Sequence, residues 1–164
     1  MKEIFRRTSI RRYTPQPVEE EKIEQLLRAA MAAPSARNQQ PWEFYAITNP
    51  ELLQTLSTCS PYATPLKEAP LGIVVCGKKD APRQEYVQID CSAATENLLL
   101  EAVSLGLGAV WMGIAPIEER MEAARQILSL PDHLYAFAFI ACGYPGDNPV
   151  QENRYDQARV HRIK

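Results

Sequence analysis

Leu71-Gly72-Ile73-Val74-Val75-Cys76 is a continuous apolar run, and such a run predicts a β-strand covered on both faces. A strand of that kind needs helices on either side, and the sequence downstream supplies the first of them. Across residues 83–105, Val87, Cys91, Ala94, Leu98, Ala102 and Leu105 recur at helical spacing and form one stripe. Asp90, Ala93 and Asn97 sit beside that stripe, and the abundance of Ala, Ser and Cys points to close helix–helix approach. Gly106 stands where a left-handed cap would end the helix. Residues 109–114 then predict a strand, 116–128 a helix, and 134–142 a last strand rich in aromatics.

Upstream, Pro61, Pro65 and Pro70 punctuate a connecting stretch. Before it, residues 42–48 read as a strand, followed by a short helix from about Pro50, a residue tolerated in a first helical turn. Glu19, Glu20 and Glu21 suit a helix N-terminus, and Ile23, Leu26, Leu27, Ala30 and Met31 give that helix one apolar face. Pro34 ends it, and residues 34–41 form a polar loop. Residues 2–12 predict a short helix running into an extended segment before Pro15. The tail beyond Gly143 is too polar to pack alone and is expected to wrap a partner surface. Neither repeats nor a domain boundary are visible, so residues 1–164 read as one domain: an α/β or α+β sandwich on a small central β-sheet flanked by helices.

Composition narrows the function. The 164 residues are 46% hydrophobic and 23% charged, ordinary for a globular domain with a real core. Met1-Lys2-Glu3-Ile4 is charged and lacks an apolar h-region, so no signal peptide is expected. No apolar run approaches the roughly 20 residues of a membrane span. The expectation is a soluble cytoplasmic protein with no membrane partner. Cys59, Cys76, Cys91 and Cys142 are scattered, and His133 and His161 are the only histidines; neither a disulfide framework nor a metal site is expected.

Net charge is −2, yet half of the 18 basic residues sit at the two ends: Lys2, Arg6, Arg7, Arg11 and Arg12, then Arg154, Arg159, Arg162 and Lys164. Two basic ends around a mildly acidic middle can converge on an anion, or remain solvated tails. Dinucleotide, phosphate-loop and nucleophile-elbow motifs are missing. What remains is Arg6-Arg7-Thr8-Ser9-Ile10-Arg11-Arg12-Tyr13. Its alternate residues Arg7, Ser9 and Arg11 can point the same way in an extended backbone, and guanidinium forks beside a hydroxyl suit a phosphate. One short basic cluster in a chain of negative net charge argues against nucleic acid.

That cluster, with Pro34-Ser35-Ala36-Arg37-Asn38-Gln39-Gln40-Pro41-Trp42-Glu43-Phe44, closely resembles the two hallmark segments of the nitroreductase family. A third match runs from Asn97-Leu98-Leu99-Leu100-Glu101-Ala102 into Leu105-Gly106-Leu107-Gly108-Ala109-Val110-Trp111-Met112-Gly113. The tail Asn153-Arg154-Tyr155-Asp156 is similar to that of compact members. The resemblance implies FMN, NADH or NADPH as electron donor, and a homodimer with exchanged C-terminal tails, about residues 145–164. Arg7 and Ser9 would hold the phosphate, completed by Arg154 from the tail, with Thr8 between them also among the cofactor-binding residues. Arg11 would lie at the pyrimidine edge of the flavin, where a cation stabilises the reduced form. Asn38 would hydrogen-bond the ring, with Pro34 and Ser35 packing on it from the other subunit. Trp111, Met112 and Gly113 would line its far side.

Two departures stand out. Gln151 and Glu152 occupy the stretch where relatives often carry a lysine, which makes Arg159 a second candidate beside Arg154. The helical insertion that covers the flavin in larger relatives is missing. The activity implied is hydride transfer from NAD(P)H to nitro compounds, quinones or similar small-molecule acceptors, with no catalytic acid, base or nucleophile. Alternatives are a specialised flavin enzyme on the same scaffold, for reductive dehalogenation or flavin fragmentation, and a flavin-binding protein without turnover.

Overall fold

The computed structural model describes residues 2–163; Met1 and Lys164, named above, lie outside the described residues. Nine regular elements follow along the described chain: α1 (Glu3–Arg6), α2 (Glu20–Met31), β1 (Trp42–Ile47), α3 (Pro50–Leu56), β2 (Leu71–Lys78), α4 (Val87–Ser104), β3 (Gly108–Gly113), α5 (Glu118–Leu128) and β4 (Leu134–Gly143). The four strands form one sheet in the order β1-β2-β4-β3, with every neighbouring pair antiparallel. The α+β alternative is therefore the one realised.

The apolar run around β2 behaves as its composition demands. Leu71, Ile73 and Val75 face the cluster formed with Leu26, Ala30, Cys91 and Leu98 of α2 and α4. Val74 and Cys76 face the opposite cluster, with Leu53 and Leu56 of α3, Ala124 of α5 and Phe139 of β4. Helices thus cover both faces of the sheet. Each fully buried Leu, Ile or Phe contributes roughly 1.5–3 kcal/mol, and the two layers hold the sheet from both sides.

Local signals set several boundaries. Asn49 Oδ1 accepts the Glu51 and Leu52 backbone N–H groups at 2.9 and 3.2 Å, which starts α3 with Pro50 in its first turn. Gly106 takes φ +75°, and Leu107 N–H closes onto Ala102 O at 2.7 Å, the left-handed stop expected after α4. The long helix is shorter than its sequence pattern, because residues 84–86 form a separate 3-10 turn ahead of α4. The helix placed at 116–128 begins only at Glu118, since Ile117 is still extended.

The N-terminal helix is the main correction. It spans only Glu3–Arg6; beyond it the chain is extended and runs beside β3. Ser9 bridges Ala109 in parallel, and Ile10 N–H donates to Ala109 O at 3.1 Å. Gly108 makes this possible: a Cβ there would stand 2.5 Å from Ile10 Cγ1. Ile10, 6% exposed, packs in the space left free. Tyr13 fixes the far end, its hydroxyl sharing its one proton between Ile10 O and Ala141 O at 2.5 and 3.0 Å. No helix of the described chain is long and apolar enough to cross a membrane.

Candidate functional site

β3 lies at one edge of the sheet, and an edge strand presents unpaired backbone groups. Among the described residues, its outer edge meets another backbone only at Ala109, in the Ser9–Ile10 segment, while Gly113 O accepts from Arg120 Nη1 at 3.1 Å. Past that point the edge opens onto a cavity of about 400 Å³, lined by Val110, Trp111, Met112 and Gly113 together with Arg11 and Arg120. Met112 is buried. Trp111 serves two purposes, packing edge-on against Phe137 at 5.7 Å between centroids while walling the cavity. Gly113 faces open space, with nothing within 4 Å of where a Cβ would sit.

Arg11 is common to a second cavity of about 340 Å³, whose wall includes Thr8, Ser9, Gln151, Glu152 and Arg154. Two hydroxyls and two guanidiniums thus gather beside an apolar strand edge, with one carboxylate, Glu152, among them. Neither Arg11, Arg120 nor Arg154 has an acidic partner within ion-pair distance among the described residues. The arrangement suits an anion at one end and a flat, largely apolar group at the other.

The remaining sequence candidates lie elsewhere. Arg7 turns aside to Glu96 of α4, Nε to Oε1 3.7 Å, and lines neither cavity. Arg159 pairs with Asp156 at 3.2 Å within the 3-10 turn Gln157–Arg159, so of the two tail arginines Arg154 is the one facing the groove. Pro34, Ser35 and Asn38 belong to a loop that contributes to neither cavity of the same chain.

That loop is nonetheless built with care. Arg37, Asn38 and Gln40 all take left-handed φ values, 51°, 55° and 47°, a conformation costly for residues with a Cβ. Asp90, buried on α4, holds it: Oδ1 accepts Ala36 N–H at 3.0 Å and Oδ2 accepts Gln39 Nε2 at 2.7 Å. Gln39 in turn clamps the backbone of Arg83 with both ends of its amide. Ser35 Oγ accepts Gln40 N–H at 3.0 Å. The sequence placed Asp90 beside the apolar stripe without a role; a carboxylate on the buried flank of a helix was the available signal. Arg120 and Tyr62 carried no signal in the sequence.

The thiols take no part. Burial pushes Cys76, Cys91 and Cys142 up to about 12, which keeps them protonated and unreactive.

A four-stranded antiparallel sheet between helical layers, with an anion-suited groove on an edge strand, defines a class, and the chain belongs to the Nitroreductase family, whose profile matches residues 4–60 and 59–144. Among its relatives is a protein of Archaeoglobus fulgidus provisionally named NADH dehydrogenase/NAD(P)H nitroreductase, 42% identical over 100% of this chain and 97% of its own. A Clostridium acetobutylicum crystal structure, provisionally named an NADH oxidase, superimposes with a TM-score of 0.95 at 46% identity, covering 99% of both chains. A nitroreductase, also provisionally named, crystallised with FMN from Desulfovibrio desulfuricans superimposes at 0.86 with 31% identity, covering 99% of this chain and 95% of that one.

Proposed function

We propose that this chain is an FMN-dependent oxidoreductase that passes hydride from NADH or NADPH to nitro compounds, quinones or similar acceptors. The observation that carries the reading is the open outer edge of β3 beside unpaired arginines. The donor set fits FMN: Thr8, Ser9 and Arg154 suit a phosphate dianion, Arg11 lines both cavities and is placed for the ring, and the Val110–Gly113 edge offers a flat wall, with Gly113 leaving room for a ring. The FMN-bound relative supports the same cofactor.

Bound there, FMN would supply two-electron hydride acceptance and donation, chemistry that no side chain of the site provides. The protein's part is position and charge. Arg154 and the Thr8 and Ser9 hydroxyls hold the anionic end. The guanidinium of Arg11 favours a negatively charged reduced ring over a neutral oxidised one. The strand edge keeps water from one face. Arg7, held by Glu96, acts indirectly by fixing the start of the Thr8–Arg11 segment.

Assembly follows from the same reading. Phe5, Ile89, Val150 and Ile163 are 78%, 62%, 87% and 98% exposed, and beyond Gly146 the described tail makes only local hydrogen bonds. A homodimer with exchanged tails would cover these residues and bring Pro34, Ser35 and Asn38 of one subunit to the flavin of the other. Such obligate interfaces commonly bury over about 2,000 Å². Light scattering is expected to give twice the 18.5 kDa chain mass; a stable FMN-loaded monomer refutes the assembly.

Activity is tested by anaerobic stopped-flow mixing of the reconstituted protein with NADH and NADPH. Flavin bleaching by at least one of them, followed by reoxidation with a nitroaromatic or quinone, is the expected result. Bound FMN that neither nicotinamide reduces would leave a flavin-binding protein without turnover. Arg11→Ala is expected to lower the flavin's midpoint potential by roughly 30 mV, about a tenfold change in a two-electron equilibrium. Arg11 is solvent-exposed, and screening holds the effect to that size. An unmoved potential removes Arg11 from the ring's electrostatics.

A further inference from the structure

We propose that Arg120, set against the ring of Tyr62 on the wall of the Val110–Gly113 cavity, recognises an anionic oxygen group, a carboxylate or a phosphate, carried by the substrate. The inference rests on the reading of that cavity as the flavin and substrate site. The guanidinium is anchored twice, by donation from Nη1 to Gly113 O at 3.1 Å and by the Tyr62 ring, whose centroid lies 5.5 Å from Cζ. One Nη1 bond leaves the rest of its five-donor fork free for a ligand.

Its charge is uncompensated although acids are near in sequence. Glu118 and Glu119 share its helix and form no ion pair with it, whereas Arg125 further along the same helix is paired bidentately with Glu122 at 2.7 and 2.8 Å. Among the described residues no acidic side chain lines the cavity; its charged wall is Arg11 and Arg120. Because Arg120 does not line the Thr8–Arg154 cavity, it is separate from the set assigned to the cofactor phosphate. Trp111, Tyr62, Pro61 and Pro65 supply apolar wall in the same cavity as the two arginines, which suits a planar body carrying the anion. An Arg fork fixed by a carbonyl and a ring is preorganised for such a group. The two sources of that anion are the acceptor and the pyrophosphate of the nicotinamide donor.

The test uses the FMN-loaded protein and two unreactive probes of similar shape, benzoate and benzyl alcohol, titrated against the oxidised flavin's visible spectrum. Arg120→Gln is expected to weaken benzoate binding about ten- to a hundredfold, the range for a charged hydrogen bond, and benzyl alcohol less than twofold. Arg120→Lys should recover part of the benzoate affinity. KM values then separate the sources: a rise for 4-nitrobenzoate over 4-nitrobenzyl alcohol assigns the anion to the acceptor, and a rise for NADH alone assigns it to the donor. Parallel loss of both probes, or no change for benzoate and NADH alike, overturns the proposal. FMN affinity is measured first on the wild-type protein: failure to bind flavin defeats the functional reading, whereas normal flavin binding without charge discrimination defeats only the role of Arg120.

Discussion

Asp90→Ala is expected to cost about 3 kcal/mol of stability and to loosen the 35–40 loop. The carboxylate accepts two hydrogen bonds, from Ala36 N–H and Gln39 Nε2, and bonds to a charged group are worth roughly 1.5–3 kcal/mol each. Solvent entering the cavity left by alanine recovers part of that loss. Strain promotes the loosening while offsetting part of the stability loss. Arg37, Asn38 and Gln40 sit at φ values near 50°, costing each non-glycine residue roughly 1–2 kcal/mol, so a loop freed from Asp90 relaxes away from this shape. Asp90→Asn is the sharper probe because it preserves volume. Its amide nitrogen would face the Gln39 amide nitrogen, and flipping Gln39 would break its pairing with Arg83. A loss about half that of alanine is expected. Urea unfolding checks both variants, and a change below 1 kcal/mol for alanine would show that the clamp does not support the loop. If Ser35 and Asn38 meet a flavin across the dimer, both variants should also shift its absorption spectrum.

The distinction between what the sequence revealed and what it hid follows the range of the interactions involved. The β2 run, the helix start at Pro50 and the Gly106 stop are set by residues next to one another, and each was legible; the Asn49 cap that completes the start was seen only in the structure. Strand direction was not: an apolar run reports burial on two faces, and nothing in residues 71–76 says that both neighbours run antiparallel. The N-terminal segment was misjudged because its extended form depends on Gly108 and Tyr13 rather than on its own propensities. Of the alternating residues Arg7, Ser9 and Arg11, the last two line the groove, whereas Glu96, far along the chain, pairs with Arg7 outside it. Likewise Arg154 and Arg159 are equivalent in sequence, and only their surroundings separate them. The Asp90–Gln39 clamp joins residues 51 positions apart, beyond the reach of any local pattern.

Gly108→Ala is expected to weaken FMN binding about a hundredfold while leaving the sheet folded. A Cβ at this position would stand 2.5 Å from Ile10 Cγ1, 2.7 Å from its Cβ and 2.9 Å from its Cγ2. Rotating the side chain relieves the contacts with Cγ1 and Cγ2, but Cβ is fixed to the backbone, so the segment itself must move. Moving it strains the Ile10 bond to Ala109 O and the Tyr13 bonds to Ile10 O and Ala141 O. Overpacking of this kind costs roughly 1–3 kcal/mol. Ser9 and Arg11 flank Ile10, and both line the anion-suited cavity, so the displacement reaches the proposed phosphate contacts directly; a loss of about 2.8 kcal/mol there corresponds to the hundredfold. Gly113→Ala provides the contrast, because nothing in the protein lies within 4 Å of its Cβ. Stability should stay within about 0.5 kcal/mol, as for surface changes without a new clash, and any loss of FMN affinity then reports the ligand filling that space. Paired measurements of unfolding and FMN affinity separate the two glycines. If Gly108→Ala binds FMN as tightly as the wild type, the strip beside β3 does not hold the cofactor.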